Sequence, residues 1–232
     1  MAAYRSGRTL ALAATLGIAA AASTQAFVAG ARAYVAVFAR ESEVGYELSA
    51  GLGSLLNVAV FCSAGVVFLF WLRRAVANTL ALGSTVRLTT LDAVIWWFVP
   101  IVSILKPYSV VSSVYQANTV PERVPGDWVA RAPMLLPLWW GSWLVMIISR
   151  VLGAPQDNSF RTRETATTWA AVAGVPFAFV AALTAMAVIW SIEHRLAARA
   201  RGSTAPRPVF EPPPSMRRPE ADERDDEDDT AD

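Results

Sequence analysis

Residues Leu91–Tyr108 read LDAVIWWFVPIVSILKPY, a tryptophan-rich apolar run broken by Pro100 and closed by Lys106-Pro107. Its uncharged core, Ala93 to Leu105, is 13 residues. As a helix that is about 20 Å, well short of the ~30 Å hydrocarbon core of a bilayer. A proline eight residues into that core also argues against one straight helix. Whether this tract crosses a membrane or returns to the side it came from decides the topology of everything after it.

The surrounding chain is built for a membrane. Hydrophobic residues make up 54% of the 232, charged residues only 17%, and the apolar residues fall in long uncharged blocks. Four blocks read as helical spans, at about 9–31, 48–72, 134–149 and 165–192. Thr9 to Ala31 is 23 residues without a charge, roughly 34 Å of helix and enough to cross. A cleavable signal peptide competes for this block, since Thr24-Gln25-Ala26 is a tolerable cleavage site, but the apolar run is longer than a usual signal core and favours a retained first span. The second block ends in Trp71-Leu72-Arg73-Arg74, an interfacial stop, and continues toward Gly83, which suits a helix C-cap. The third is marginal in length, with Pro133 and Pro137 about its first turn. The fourth ends in Glu193-His194-Arg195.

Arginine placement tests the tract. With four spans, and the tract returning to its starting side, twelve Lys and Arg lie inside and five outside. If the tract crosses, the split becomes eight inside and nine outside. Cytoplasmic loops carry the excess of Lys and Arg, so the four-span arrangement with both termini cytoplasmic is expected. The element over about 91–119 is then re-entrant or interfacial, and the helix after Pro107, with Val111, Val114 and Tyr115 on one face, suits the membrane surface. Trp71, Trp139, Trp140 and Trp190 fall near inner ends and Trp169 near an outer one, as an aromatic belt requires; the Trp96-Trp97 pair falls at the inner interface.

Residues 1–200 therefore form an all-α integral membrane domain. From 201 to 232 the chain is Pro-rich and then acidic, with nine carboxylates from Glu220 onward against Arg224 alone. Such a segment buries too little apolar surface to offset its ordering entropy and is expected to be a disordered cytoplasmic tail.

The strings FLFWLRRAVANTLALG, WWFVPIVSILKPYSVV and LLPLWWGSWLVMIISRVLG resemble the bacterial, mostly actinobacterial, membrane family called domain of unknown function 4328. The shared landmarks are Trp71, Asn78, Leu82-Gly83, Trp97, Pro100, Pro107, Trp139-Trp140 and Trp143, over roughly Leu48 to Arg199. Where that family usually places Asn three residues after the first proline, this chain has Ser103, which satisfies fewer backbone groups. The resemblance implies a fold and carries no established activity.

Chemistry is scarce in this sequence. Cys62 and His194 are the lone cysteine and histidine, so no Cys/His metal cluster is expected, and neither a cofactor nor a catalytic set is assigned. Gly51-Leu52-Gly53 lacks the preceding strand of a nucleotide loop. Asp92 and Lys106 read either as a polar vestibule around a broken helix or as charges anchoring its two ends; the second reading is preferred. His194 reads as solvated at the boundary. Small residues recur every four positions at Ala13, Gly17 and Ala21, then, past Gln25, at Ala29, and in the last span at Ala166, Ala170, Gly174, Ala178 and Ala182. Such ladders let membrane helices approach closely, and Gln25 is costly in lipid unless it faces the bundle. A non-enzymatic scaffold or interaction protein of the cell membrane is expected, with the alternative of a transporter or channel subunit using the Pro100–Pro107 broken helix. Its expected partners are the bilayer, a second copy or another membrane protein, and a basic partner for the acidic tail; nucleic acid is not expected.

Overall fold

The computed structural model describes residues 4–38, 43–84, 88–120, 124–152 and 160–204. Helices α1 (Arg8–Phe38), α2 (Glu43–Ala81), α6 (Leu135–Leu152) and α7 (Phe160–Thr204) form the bundle. Three short helices, α3 (Asp92–Ile95), α4 (Lys106–Ala117) and α5 (Trp128–Arg131), lie between α2 and α6. No strand occurs among the described residues.

Helices α1, α2 and α7 are long and apolar enough to cross a membrane, while α6 has a shorter apolar stretch, Leu135–Ile148. Helix α1 packs on both α2 and α7, and α6 packs on α7. The helices meet through small side chains: α1 buries Ala11, Ala14, Ala22 and Ala29, and a Cβ on Gly17 would stand 3.3 Å from Ala64 Cα. Bulky residues point the other way, with Leu12, Leu16 and Phe27 on α1, Leu55, Val66 and Phe70 on α2, and Leu183 on α7 all exposed. Apolar bulk outside and small residues within is the pattern of helices packing in lipid, where no hydrophobic force drives the large side chains inward.

The expected ladders hold in part. Gln25 and Ala29 are buried, as are Gly174, Ala178 and Ala182, but Ala13 is exposed. A straight helix advances 3.6 residues per turn, so a strict four-residue ladder drifts off the contact face. Helix α2 runs unbroken past Arg73-Arg74 and stops at Gly83, whose φ of +77° permits the closing pair of bonds from Gly83 N–H to Leu80 O (3.0 Å) and from Ser84 N–H to Thr79 O (3.3 Å). Glycine takes this left-handed conformation without the Cβ clash other residues meet. Helix α7 continues four residues into the segment expected to be disordered; residues 205–232 of that tail lie outside the described residues.

The tract is broken as its prolines predict. Helix α3 is one turn, a 3-10 turn follows over Val102–Ile104, and Ile101 between them has φ 67° and ψ −52°. With Val102 N–H bonded to Pro100 O at 2.7 Å, Ile101 is the centre of a γ-turn, a strained conformation that a β-branched residue rarely adopts. Helix α4 departs from expectation. Its apolar face, Val110, Val111 and Val114, is buried in the same core as Trp71, Val76 and Ile192. That face packs on α2 and α7 and is not free to lie on lipid, because the ends of the long helices already supply an apolar surface for it.

Candidate functional site

The polar side chains that the sequence scatters along the chain gather at one end of the bundle. On α7, Ser191, Arg195 and Arg199 recur every four residues and so share one face. That face is covered by α4 and α5. Ser191 Oγ accepts from Trp128 N–H (2.8 Å) and Val129 N–H (3.1 Å), the first free donors of α5. Asp127 caps the same helix, its Oδ1 accepting from Ala130 N–H at 3.0 Å. Its Oδ2 accepts from Arg195 Nε in a buried ion pair. Arg195 Nη2 donates to Tyr115 OH at 2.6 Å, and its guanidinium carbon lies 3.8 Å from the Tyr115 ring centre. Burial pushes the Tyr115 phenol up to about 12, with Arg195 pulling it the other way.

Arg199 fastens two helix ends together. Its Nη1 donates to Ala117 O at 2.6 Å, the last carbonyl of α4, and its Nη2 to Leu82 O at 3.1 Å, just past the end of α2. A cation there meets both unsatisfied acceptors and the negative ends of the helix dipoles. Asn118, fully buried, donates to Thr79 Oγ1 (2.8 Å) and Val114 O (2.7 Å), tying α4 to α2 a second time.

The opposite side of α7 holds the N-terminal segment. Buried Glu193 accepts from Trp71 Nε1–H at 2.9 Å, and a Cβ on Gly7 would collide with its Oε1. Asn78 clasps the backbone of Arg5 with two bonds, accepting from its N–H (3.2 Å) and donating to its carbonyl (2.8 Å). Tyr4 lies in the same region; burial raises its pKa first, and the Glu193 carboxylate adds to the shift.

Beside this clasp is an aromatic cluster that seats the tract. Trp97 meets Phe68 of α2 edge-on at 5.4 Å, and Trp140 and Trp143 of α6 edge-on at 6.0 and 6.1 Å. Trp140 and Trp143 stack on each other at 4.8 Å, and Trp140 Nε1–H donates to Ile104 O at 2.9 Å. Edge-on aromatic pairs add roughly 0.5–1.5 kcal/mol each beyond area burial. The Trp97 N–H is buried without a hydrogen-bond partner among the described residues.

Several sequence expectations change here. Trp71, Trp139 and Trp140 are buried within the protein and do not face headgroups, whereas Trp169 is exposed. The Trp96-Trp97 pair divides, Trp97 inward and Trp96 beneath Lys106, whose Nζ is 5.6 Å from the Trp96 ring centre. His194 is half-buried and not simply solvated, with its ring 6.1 Å from that of Trp190 and pressed on Gly126, where a Cβ would stand 2.7 Å from Nε2. The Asp92 carboxyl is held below its ordinary range chiefly by bonds from Thr89 N–H and O–H, with the Lys106 charge a smaller contribution. Sequence reasoning missed Asp127, Glu193, Arg195 and Arg199 as one set. The four-residue repeat of Ser191, Arg195 and Arg199 was the available signal.

Ser191, His194 and Asp127 stand in one region, yet their bonding is structural. Asp127 is committed to Arg195 and its cap, Ser191 to two backbone donors, and no described hydrogen bond links His194 to either. A nucleophile needs its base within hydrogen-bond reach. No group of three or more metal-ligating side chains occurs among the described residues.

The family model described as "Domain of unknown function (DUF4328)" matches residues 40–194. No curated protein and no solved structure matches the chain. The match runs from residue 40 to His194, so it takes in the tract and the aromatic cluster, and leaves out residues 4–7, Arg195 and Arg199 of the clasp. Over that length the chain belongs to the DUF4328 family.

Proposed function

We propose that the protein is a non-enzymatic scaffold or interaction protein of the cell membrane, with four crossings and both termini cytoplasmic. Helices α1, α2, α6 and α7 are the crossings. The tract enters the inner leaflet and returns, and α4 and α5 cap the bundle on the cytoplasmic side. One observation carries this reading: the clasp gathers residues 4–7, the end of α2, the end of α4, Asp127 and the end of α7 into one bonded set. A tract that crossed would separate α4 from the end of α2 that precedes it. The arginine asymmetry read from the sequence supports the same side assignment. The bonds of Asn78 to the Arg5 backbone, and the nearness of Glu193 to Gly7, support the reading of α1 as a retained span.

The cap supplies the surface for a second copy or a membrane-protein partner, and the acidic tail a surface for a basic one. A photo-crosslinker at exposed Gln116 is expected to capture one recurrent protein in native membranes. Proteoliposomes are expected to pass no ion or small solute faster than empty vesicles. Saturable flux, with no recurrent adduct, overturns the proposal in favour of a transporter.

A further inference from the structure

We infer that the acidic end of the tail, Glu220–Asp232, docks on an arginine patch where the N-terminal segment lies beside the end of α7. The patch is Arg5, Arg8 and Arg201, all exposed. The fold brings these three together. Gly7 is seated on Glu193 of α7, Asn78 holds the Arg5 backbone, and α1 packs on α7. Tyr4 stands next to Arg5 in the chain, and the charges of Arg8 and Arg201 both act on its hydroxyl.

The positive charge of this patch is in excess. The carboxylate beside it is Glu193, buried under Gly7 and accepting from Trp71 Nε1–H. Asp127 is buried against Arg195, on the face of α7 turned to α4 and α5. Among the described residues, Arg5 and Arg8 use only backbone groups in their hydrogen bonds. Their guanidinium groups therefore present donors to an incoming acceptor, and each planar fork fits a carboxylate bidentately.

Charge and tether select the occupant. Glu220 to Asp232 holds nine carboxylates against Arg224. Arg217 and Arg218 stand beside this run but offer two cations to nine carboxylates, leaving most of it to pair elsewhere. Fifteen residues, 205–219, join the run to Thr204, only three residues beyond Arg201. Extended, they reach about 50 Å, several times the ~10 Å between packed helices. Such a tether holds the carboxylates near the patch at an effective concentration on the order of millimolar. Both halves of the contact lie at one end of the fold, so the inference does not depend on the number of crossings. An external basic partner of the tail must displace the chain's own arginines.

The test is disulfide formation in the full chain with Cys62→Ser, held in phosphatidylcholine nanodiscs. Ser6→Cys with Thr230→Cys places one thiol in the patch and one in the tail. Thr119→Cys with Thr230→Cys is the reference, with exposed position 119 just past the end of α4. At low salt the 6–230 bridge is expected to form within one chain ~10-fold faster or more than the 119–230 bridge. About 0.5 M salt, where the Debye length is below ~5 Å, brings the two rates together. Replacing Asp225, Asp226, Asp228 and Asp229 with Asn does the same without touching the folded bundle. R5Q/R8Q slows the 6–230 bridge, whereas R73Q/K106Q, which removes two exposed cations outside the patch, leaves it unchanged. Equal rates at low salt, a ratio indifferent to salt or to the Asn substitutions, equal slowing by both arginine and lysine variant sets, or 6–230 bridges that join two chains overturns docking within the chain.

Discussion

From Thr168 to Leu183, α7 buries Thr168, Gly174, Ala178, Ala181 and Ala182, and leaves Trp169, Phe177, Phe179, Val180 and Leu183 exposed. From Val188 to Leu196 the same helix buries Val188, Ile189, Ile192 and Leu196, together with Ser191, Glu193 and Arg195. In the first half small residues face protein and large ones face outward, which is how helices associate when the solvent is as apolar as the side chains. In the second half large apolar and charged residues are buried together, because α4, α5 and the N-terminal segment close over them. One helix thus changes surroundings along its length, and polar bonds are concentrated where other segments of the protein close over it.

Substitutions should divide along this line. The largest effect is expected at the ion pair: Asp127→Ala leaves Arg195 buried without its carboxylate and should cost about 3–5 kcal/mol. Replacing both partners, in Asp127→Leu with Arg195→Met, should recover most of this, short of the ~1 kcal/mol helix cap that Asp127 also provides. Unfolding in mixed detergent and SDS micelles, run as a double-mutant cycle, measures the coupling. Costs that simply add would mean that the two side chains act independently.

A smaller effect is expected where glycine lets the cap fold. Gly126 has φ +83°, and a Cβ there would reach 2.7 Å from His194. Gly83, at φ +77°, has open space around its Cβ position. A left-handed non-glycine residue costs roughly 1–2 kcal/mol at either site. Gly126→Ala should exceed Gly83→Ala in the same unfolding assay, since His194 must also move. Equal losses would remove His194 from the cap.

Tyr115 gives a pH signature. Its phenol titrates near 12 in the folded protein and near 10 when free, so the folded state holds the proton more tightly. Its contribution is fully present below pH 10 and is lost as pH rises from 10 to 12. The wild-type unfolding midpoint should fall over that window relative to Tyr115→Phe, and parallel curves would refute the burial of this group. The smallest effect is expected on the lipid face, where Leu183→Ala should change stability by no more than ~0.5 kcal/mol.

Local pattern carried the helices well and the clasp poorly, for a physical reason. Charge-free length marks α1, α2 and α7, and Pro100 marks the break that becomes the γ-turn. Gln25 is buried as the cost of an amide in lipid demands. The clasp is made instead of pairs far apart in sequence, such as Trp71 with Glu193 and Arg195 with Asp127. Residues such as Trp71, Glu193 and Arg195 have an ordinary local explanation as tryptophans and charges at a membrane boundary. Helix α4 shows the same limit: its amphipathic pattern is present in the sequence, but only the tertiary fold decides whether the apolar face meets lipid or protein.

The central claim is that the chain from Lys106 to Arg131 lies on the same side of the membrane as the ends of α2 and α7. Val124 is buried, whereas Thr119 is exposed, so Thr119→Cys in a Cys62→Ser background is the position to label. A membrane-impermeant maleimide should leave it untouched in intact cells and modify it fully once the membrane is opened. Modification in intact cells would mean that the tract crosses and that the clasp cannot form as described.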